Sequence, residues 1–239
     1  MNYILLPAYN EKKNIVNILK KIDKIKKKIP LKIILVDDCS VDGTFEIIKK
    51  NKSKNLIYKR HKKNLGLSQT LETGFKKIIK IASQEDIIIT LDCDNTHPIE
   101  LIPKMVNEIH KKNEIIIASR FRRQSKVIGV TYFRTFLSIL AKYLFIIFHP
   151  HQGLNDYTCN FRCYKLKIIK QILKKKYFFK NEEFNIAAKI LLFIINKKKD
   201  VKIKEIPFTL SYQKKIGNSK MKIIKTIILT LRLIFLRKF

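Results

Sequence analysis

The sequence predicts an α/β protein built on a mostly parallel, doubly wound sheet. Short runs rich in Ile, Leu and Val alternate with longer segments whose apolar residues recur at helical spacing. Two of the short runs end directly in acidic clusters, Asp37-Asp38 and Asp92-Cys93-Asp94, as buried parallel strands do where they open at a carboxyl edge. The chain has 239 residues and is 46% hydrophobic, which suits one large α/β domain with a small appendage.

The first half of the chain repeats a strand–helix unit. We predict strands at residues 3–6, 32–36, 56–59, 87–91 and 114–118, because these are short aliphatic runs followed by turn-forming residues. We predict helices between them at residues 14–28, 42–50, 68–81 and 98–111. In the first helix, Ile15, Ile18, Ile22 and Ile25 fall on one face.

The pattern changes after residue 122. An apolar helix is predicted at 133–148, a second helix at 181–196, a strand at 201–206 and a C-terminal helix at 223–236. We expect residues 1–220 to form one domain and residues 221–239 to form an appended amphipathic helix. The segments 133–148 and 223–236 are both apolar but carry basic residues, a pattern typical of the membrane interface and also of an ordinary core-packing helix. Neither segment is long enough without interruption to predict a transmembrane helix.

The charge balance limits the class of partner. Lys and Arg number 51 against 19 Asp and Glu, so the formal net charge is +32. A field of this sign attracts nucleic acid, an anionic membrane surface or phosphorylated substrates, and charge alone does not choose among them. The four cysteines lack paired zinc-type spacing and are expected to be reduced thiols in the cytoplasm. No signal peptide is expected, because the first residues enter a strand at once.

Each acidic cluster has two readings. Asp residues favour turns and helix N-caps, so a cluster after a strand can be purely structural. Two carboxylates in an Asp-x-Asp arrangement can also share one hard divalent cation, and that cation can hold a diphosphate. The sequence has no Gly-x-Gly-x-x-Gly or Walker loop. A metal ion and basic side chains would therefore have to bind the phosphates of a nucleotide.

Several motifs occur in the order found in family 2 glycosyltransferases, which the chain resembles. They comprise residues 6–11 (Leu-Pro-Ala-Tyr-Asn-Glu), 36–44, 64–67 and 91–98. A second set narrows the resemblance to the dolichyl-phosphate mannosyltransferase-like branch, which includes polyprenyl-phosphate glycosyltransferases: residues 118–120, 156–164, 205–207 and 217–220. The resemblance covers nearly the whole chain and implies a GT-A fold.

The resemblance also implies roles for individual residues. Pro7, Tyr9 and Glu11 would line the nucleoside pocket, and Asp37 and Asp38 would contact base or ribose. Asp92 and Asp94 would hold Mg²⁺ or Mn²⁺ on the donor diphosphate, with Asp94 counted as catalytic. The basic residues near donor and lipid phosphates would be Arg120 and Arg134, also counted as catalytic, and Arg162. Lys214 and Lys220 lie in the segment that closes over the donor in such enzymes.

The chain departs from the family pattern at a few positions. Cys39 and Cys93 stand where Gly and Ala are usual, and Asn160 replaces the Gly of the usual Gly-Phe-Arg. Thr96 occupies a position that can supply a metal ligand as Gln in relatives, and Lys214 stands where Arg is common. None of these changes removes a charged group that the chemistry needs. The change at Asn160 bears most on the backbone of its loop. His97, beside Pro98, is expected to shape the turn into the next helix.

The function predicted from these features is transfer of a sugar, mannose or glucose, from a nucleotide-sugar to a polyprenyl phosphate (dolichyl or undecaprenyl). Such an enzyme would sit peripherally on the cytosolic membrane face, bound to anionic lipid, and the resemblance admits a small membrane-anchoring subunit as a partner. One alternative is a family 2 transferase acting on a saccharide or lipid-linked oligosaccharide acceptor in cell-envelope glycan synthesis. A second is a basic nucleic-acid-binding protein, but no recognition motif or aromatic stacking platform supports it, so nucleic acid is not expected as a partner. A non-catalytic subunit that kept the fold is a third.

Overall fold

The computed structural model describes residues 1–51, 53–180, 185–214 and 223–236. The strands are β1 (Asn2–Ala8), β2 (Leu31–Asp37), β3 (Leu56–Arg60), β4 (Ile87–Thr90), β5 (Ile115–Ser119), β6 (Lys126–Ile128), β7 (Arg162–Lys165), β8 (Ile203–Pro207) and β9 (Thr209–Ser211). The helices are α1 (Lys12–Lys26), α2 (Thr44–Lys50), α3 (Gly66–Ile79), α4 (Ile102–His110), α5 (Tyr132–Phe148), α6 (Leu166–Leu173), α7 (Ile186–Lys197) and α8 (Ile223–Leu236). Residues 181–184 of the predicted 181–196 helix lie outside the described residues.

A seven-stranded sheet forms the centre of the protein, in the order β3-β2-β1-β4-β7-β5-β8. β1 pairs in parallel with β2 on one side and with β4 on the other, so the strand order reverses between β1 and β4. β2 and β3, and β5 and β8, are also parallel. The prediction of a mostly parallel, doubly wound sheet is therefore confirmed. Ligands of such sheets bind at the carboxyl edge beside the reversal point.

Strand β7 runs antiparallel between β4 and β5 and was not predicted. Thr90 at the end of β4 pairs with Arg162 at the start of β7, and Ile117 of β5 pairs with the same residue. The loop that precedes β7 therefore lies at the same edge as the carboxyl ends of β4 and β5. A separate two-stranded sheet of β6 and β9 lies close by, because Ser211 of β9 donates its N–H to the Thr96 carbonyl.

The core lies in two layers, one on each face of the sheet. One layer packs α3, α6 and α7 against alternate residues of the central strands, and the other packs α1 and α4 against the remaining ones. Gly74 in α3 is required by this packing, because a Cβ at that position would collide with the side chain of Leu5 in β1. The four cysteines are free, and burial raises the pKa of Cys163 well above its usual value, as expected of an unreactive thiol.

Helices α5 and α8 pack side by side and expose apolar side chains. The rings of Phe148 and Phe235 meet edge to face with centroids 4.8 Å apart, and His149 Nε2 donates to the Ile234 carbonyl at 3.0 Å. Apolar side chains on the outward faces stay exposed: Tyr132, Phe133, Phe136, Ile139, Leu140, Tyr143 and Ile147 of α5, and Ile224, Ile228, Leu231 and Phe235 of α8. Both helices therefore pack on the protein with one face and leave an apolar face uncovered. Among the described residues, no helix is long and apolar enough to cross a membrane.

Glu114, just before β5, gives a pH-dependent contribution to stability. Its carboxylate meets Lys167 Nζ at 2.6 Å and Lys198 Nζ at 2.8 Å. Burial raises the pKa of Glu114, but the two lysines outweigh it and lower that pKa from 4.5 to about 2. Because the folded pKa is the lower one, the stabilisation is complete above about pH 4.5 and is lost as the pH falls toward about 2.

We expect Glu114→Gln to lower the free energy of unfolding at pH 7 by up to about 3 kcal/mol, less where solvent screens the two exposed lysines. The deficit relative to the unchanged chain should shrink as the pH falls below 4.5. Urea unfolding at pH 7 and at pH 3.5 measures both values. Glu85→Gln, which changes an exposed carboxylate, serves as the control and should leave the free energy of unfolding unchanged at both pH values. A deficit that is equal at the two pH values would contradict the assignment.

Candidate active site at the carboxyl edge

Several of the predicted site residues lie at the carboxyl edge of the sheet around the reversal point. Tyr9 and Glu11 follow β1, Asp37 ends β2, Asp92 and Asp94 follow β4, and Arg120 follows β5. Pro7 lies inside β1, buried and opposite Val36 of β2. The half-buried side chains of Tyr9, Glu11, Asp92 and Asp94 line this edge.

The loops after β1 and β2 are tied together by hydrogen bonds. The Asn10 backbone N–H donates to Ser40 Oγ at 2.8 Å, and the side-chain Oδ1 of Asn10 accepts from the Val41 N–H at 2.9 Å. Glu11 N–H donates to Thr44 Oγ1 at 2.8 Å. Asn10 has a φ of 51°, in the left-handed region that Asn tolerates better than most residues. These bonds fix the position of Glu11, the N-cap residue of α1.

Asp37 has a buried oxygen left for a ligand. Its side chain is fully buried, and its Oδ2 accepts from Ser40 N–H at 3.3 Å and lies 3.2 Å from Arg60 Nε. Its Oδ1 is buried and accepts no hydrogen bond within the described part of the chain. Burial raises the pKa of this carboxyl group, and Ser40 and Arg60 offset that effect only in part. A buried acceptor without a donor is costly, so Oδ1 suits an N–H or O–H group of a bound nucleoside.

Asp38 is engaged differently from the expectation that it contacts base or ribose. Its Oδ1 lies 2.7 Å from His61 Nδ1 and accepts from Leu65 N–H at 2.9 Å, and its Oδ2 accepts from Gly66 N–H at 2.8 Å. His61 Nε2 in turn bonds Thr73 Oγ1 at 2.9 Å. Asp38 therefore joins the end of β2 to the start of α3. These bonds occupy both carboxylate oxygens of Asp38, whereas Asp37 Oδ1 accepts no hydrogen bond among the described residues.

Asp92 and Asp94 lie in a turn whose conformation is fixed from several sides. Thr96 donates its hydroxyl to Asp94 Oδ1 at 2.6 Å, and its N–H reaches the same oxygen at 3.2 Å. The Asp92 N–H donates to His97 Nδ1 at 3.2 Å. His97 also stacks on Phe161, with ring centroids 5.1 Å apart, so it joins this turn to the loop before β7.

The donor set of this turn fits a hard divalent cation only in part. Two half-buried carboxylates supply oxygen ligands, which Mg²⁺ and Mn²⁺ prefer. Among the described residues, no group of three or more His, Cys, Asp or Glu side chains is arranged to hold a metal. Mg²⁺ is commonly bound by one or two carboxylates together with water and substrate phosphates. Asp92 and Asp94 therefore fit a cation that the donor diphosphate helps to hold.

Arg120 is oriented by a buried carboxylate that the sequence reasoning did not single out. Its Nε and an Nη donate to the two oxygens of Asp156 at 2.8 and 2.6 Å, and the same Nη donates to Thr158 Oγ1. Asp156 is fully buried. Its backbone N–H donates to Glu205 Oε1 at 2.6 Å, so Glu205 holds Asp156 in turn. Burial lowers the pKa of Arg120, but Asp156 outweighs it and raises that pKa above its usual value. The positive charge at this edge is therefore fixed in place.

Arg162 does not lie among these residues. It is fully buried, and its guanidinium donates to the Ala187 carbonyl at 2.6 Å and to the Tyr157 carbonyl at 2.7 Å. The prediction that Arg162 contacts the donor or lipid phosphates is not supported, because these carbonyls hold its guanidinium in the core between β7 and α7. Its Nε is a buried donor without an acceptor among the described residues.

Of the remaining predicted basic residues, the structure describes Arg134 and Lys214. Arg134 lies in the first turn of α5, half-buried, and its N–H reaches the N-cap Thr131 Oγ1 at 3.5 Å. Lys214 ends a short 3-10 turn after β9. Lys220 lies outside the described residues. The cluster as described therefore contains Arg120 with Asp37, Asp92 and Asp94.

Comparison with known proteins agrees with this architecture. Residues 3–176 match the family described as Glycosyl transferase family 2. The chain belongs to this family. Over 222 residues, this family 2 glycosyltransferase is 31% identical to the dolichol-phosphate mannosyltransferase of Pyrococcus furiosus, covering 92% of the chain and 58% of that relative. It is 26% identical over 178 residues to the undecaprenyl-phosphate 4-deoxy-4-formamido-L-arabinose transferase of Pectobacterium atrosepticum, covering 72% of the chain and 50% of that relative.

A solved structure confirms the GT-A fold of this family 2 glycosyltransferase. Glucosyl-3-phosphoglycerate synthase from Mycobacterium tuberculosis, in complex with Mn²⁺, UDP-glucose and phosphoglyceric acid, superposes with a TM-score of 0.67 at 14% identity. The match covers 98% of this chain and 79% of that one. The chain spans about half the length of the two curated relatives it matches.

Proposed function

We propose that this chain transfers a sugar, mannose or glucose, from a nucleotide-sugar to a polyprenyl phosphate, with Mg²⁺ or Mn²⁺. Dolichol-phosphate and undecaprenyl-phosphate transferases among its relatives support the lipid phosphate acceptor. The observation that carries the proposal is the cluster at the reversal point of the sheet. There the Asp92–Asp94 turn, the unsatisfied Oδ1 of Asp37 and the fixed Arg120 charge occupy neighbouring strand ends.

Each part of the cluster has a chemical task in this reaction. Asp37 Oδ1 would accept a hydrogen bond from the nucleoside, and Asp92 and Asp94 would hold the metal. When bound, the metal would neutralise the charge that develops on the leaving diphosphate. Arg120, oriented by Asp156, would donate to a phosphate group from the part of its guanidinium that Asp156 does not occupy, without the cost of ordering a mobile side chain. A polyprenyl phosphate oxygen is already ionised at neutral pH, so the acceptor needs no strong general base.

A comparison of two acceptors tests the proposed substrate class. Purified chain is given labelled nucleotide-sugar with either polyprenyl phosphate or the corresponding polyprenol, which lacks the phosphate. We expect lipid-soluble labelled product only with the phosphate. Equal product with polyprenol would contradict a phosphate acceptor. In a third reaction, product with a saccharide or lipid-linked oligosaccharide, and none with polyprenyl phosphate, would favour the alternative acceptor class instead.

We also propose that the exposed faces of α5 and α8 lie on an anionic membrane at its cytosolic side. Phe136 and Ile147 are 61% and 68% exposed, three turns apart on α5. Neither α5 nor α8 contains an acidic residue, while Arg134, Lys142 and Arg232 add positive charge. Apolar burial and attraction to anionic headgroups act together at such a surface. This location would bring the membrane-bound acceptor to the half of the molecule that holds Arg134.

We expect the chain to sediment with vesicles containing anionic lipid at low salt and to be released in part at high salt. The double variant Phe136→Ser/Ile147→Ser should lower the partition coefficient at least about tenfold, because two large apolar groups no longer enter the interface. Ile81→Ser, at an exposed apolar residue outside both helices, is the matched control. Unchanged binding of the double variant would contradict this surface.

A further inference from the structure

The loop before β7 contacts the carboxylate turn through one side chain. Asn160 Nδ2 donates to Asp92 Oδ1 at 3.0 Å. The Asn160 carbonyl is held in turn by Thr90, whose Oγ1 donates to it at 2.6 Å. Thr90 ends β4, so the strand that precedes the carboxylates also fixes the residue that contacts them. The contact spans 68 residues of sequence.

The backbone at Asn160 does not require glycine. Asn160 does not have a positive φ, unlike five other non-glycine residues in the described part of the chain. The side chain at this position therefore costs no left-handed strain, and it is free to reach Asp92. Next to it, Phe161 is buried and stacks on His97, the residue that accepts the Asp92 N–H. Asp92 is thus held through its backbone by His97 and through its carboxylate by Asn160.

We infer that Asn160 is a positioning residue for Asp92, an inference that rests on the proposed metal-dependent transfer. Its amide fixes the rotation of the Asp92 carboxylate by donating to Oδ1, and Oδ2 would then serve as the metal ligand. A carboxylate that is already oriented loses less freedom when it binds a cation. Groups that orient metal ligands from outside commonly change metal affinity by 10- to 100-fold when they are removed.

The test measures Mn²⁺ binding to the full chain, without nucleotide and with GDP or UDP. Free Mn²⁺ is quantified by electron paramagnetic resonance. We expect Asn160→Ala to weaken Mn²⁺ binding about tenfold. The Mn²⁺ concentration that gives the half-maximal transfer rate should rise by a similar factor, while kcat at saturating Mn²⁺ changes less than about threefold. Asn160→Gly should behave in the same way, because it also lacks the amide.

Two controls separate positioning from a general loss of structure. Asn113→Ala removes an amide that donates to the Glu108 carbonyl at 2.7 Å, at the opposite edge of the sheet, and should leave Mn²⁺ binding unchanged. Urea unfolding of Asn160→Ala should have the same midpoint as that of the unchanged chain. Equal Mn²⁺ affinity in Asn160→Ala and the unchanged chain would overturn the inference alone. An unchanged chain that binds no Mn²⁺ with either nucleotide would overturn the proposed metal dependence as well.

Discussion

Asp94→Ala is expected to reduce sugar transfer at least about 1,000-fold, because the leaving diphosphate loses a carboxylate that holds its neutralising metal. The fold should persist, since Asp94 is half-buried and its hydrogen bonds with Thr96 lie within one turn. We expect the free energy of unfolding to fall by no more than about 2 kcal/mol, the usual cost of losing a turn or cap acceptor. Initial transfer rates and urea unfolding measure the two effects.

A pair of controls accompanies Asp94→Ala. Asp94→Asn keeps an oxygen that can accept from Thr96 and removes only the charge, so it should preserve stability and still lose activity. Glu100→Gln changes an exposed carboxylate six residues along the chain and should retain full activity. Metal-dependent transfer by Asp94→Ala at a rate near that of the unchanged chain would remove Asp94 from the catalytic site.

Asp156→Asn is expected to lower the free energy of unfolding by about 3–5 kcal/mol, because it leaves the Arg120 guanidinium without its charged partner. The Asp156 carboxylate also accepts the N–H groups of Arg120 and Cys159, both at 3.0 Å. Burial raises the pKa of Asp156, but Arg120 and these donors lower it overall, so its stabilising effect is present at neutral pH and is lost in acid. Transfer should fall as well, because Arg120 is no longer held at the strand end.

The matched control for Asp156→Asn is Asp23→Asn. Asp23 pairs with Lys26 at 2.8 Å, but its side chain is 62% exposed, so its loss should cost less than about 1 kcal/mol. Urea unfolding at pH 7 compares the two variants directly. An Asp156→Asn protein within about 1 kcal/mol of the unchanged chain would show that the Arg120–Asp156 pair is not a determinant of the fold.

The parts of the fold that the sequence predicted are those with strong local patterns. The first five strands are aliphatic runs ending in turn residues, and each appears within a few residues of the predicted position. Strand β7 was missed because its four residues, Arg162–Lys165, carry no apolar period and it pairs only with distant strands. Strands β6 and β9 have three residues each, too short to produce a pattern.

The candidate site was predicted from the acidic clusters and from the resemblance to family 2 glycosyltransferases, but the contacts of each residue depend on distant parts of the chain. Asp37 and Asp38 are adjacent and chemically identical, yet His61 and the N–H groups of residues 65 and 66 occupy only Asp38. Arg162 stands in a motif that favours phosphate contact, but α7 supplies the carbonyl that holds it in the core. Asp156 was inside a recognised motif, and only the fold brings it to Arg120, 36 residues away in sequence. Local sequence carries no signal for any of these pairings.

The most direct test of the proposed activity is transfer of radiolabelled sugar from a panel of nucleotide-sugars to polyprenyl phosphate, with Mg²⁺, Mn²⁺ or a chelator. We predict organic-extractable labelled product with one donor, formed with either metal and abolished by the chelator. No lipid product with any donor, or product that forms equally well in the presence of the chelator, would contradict metal-dependent transfer to a lipid phosphate.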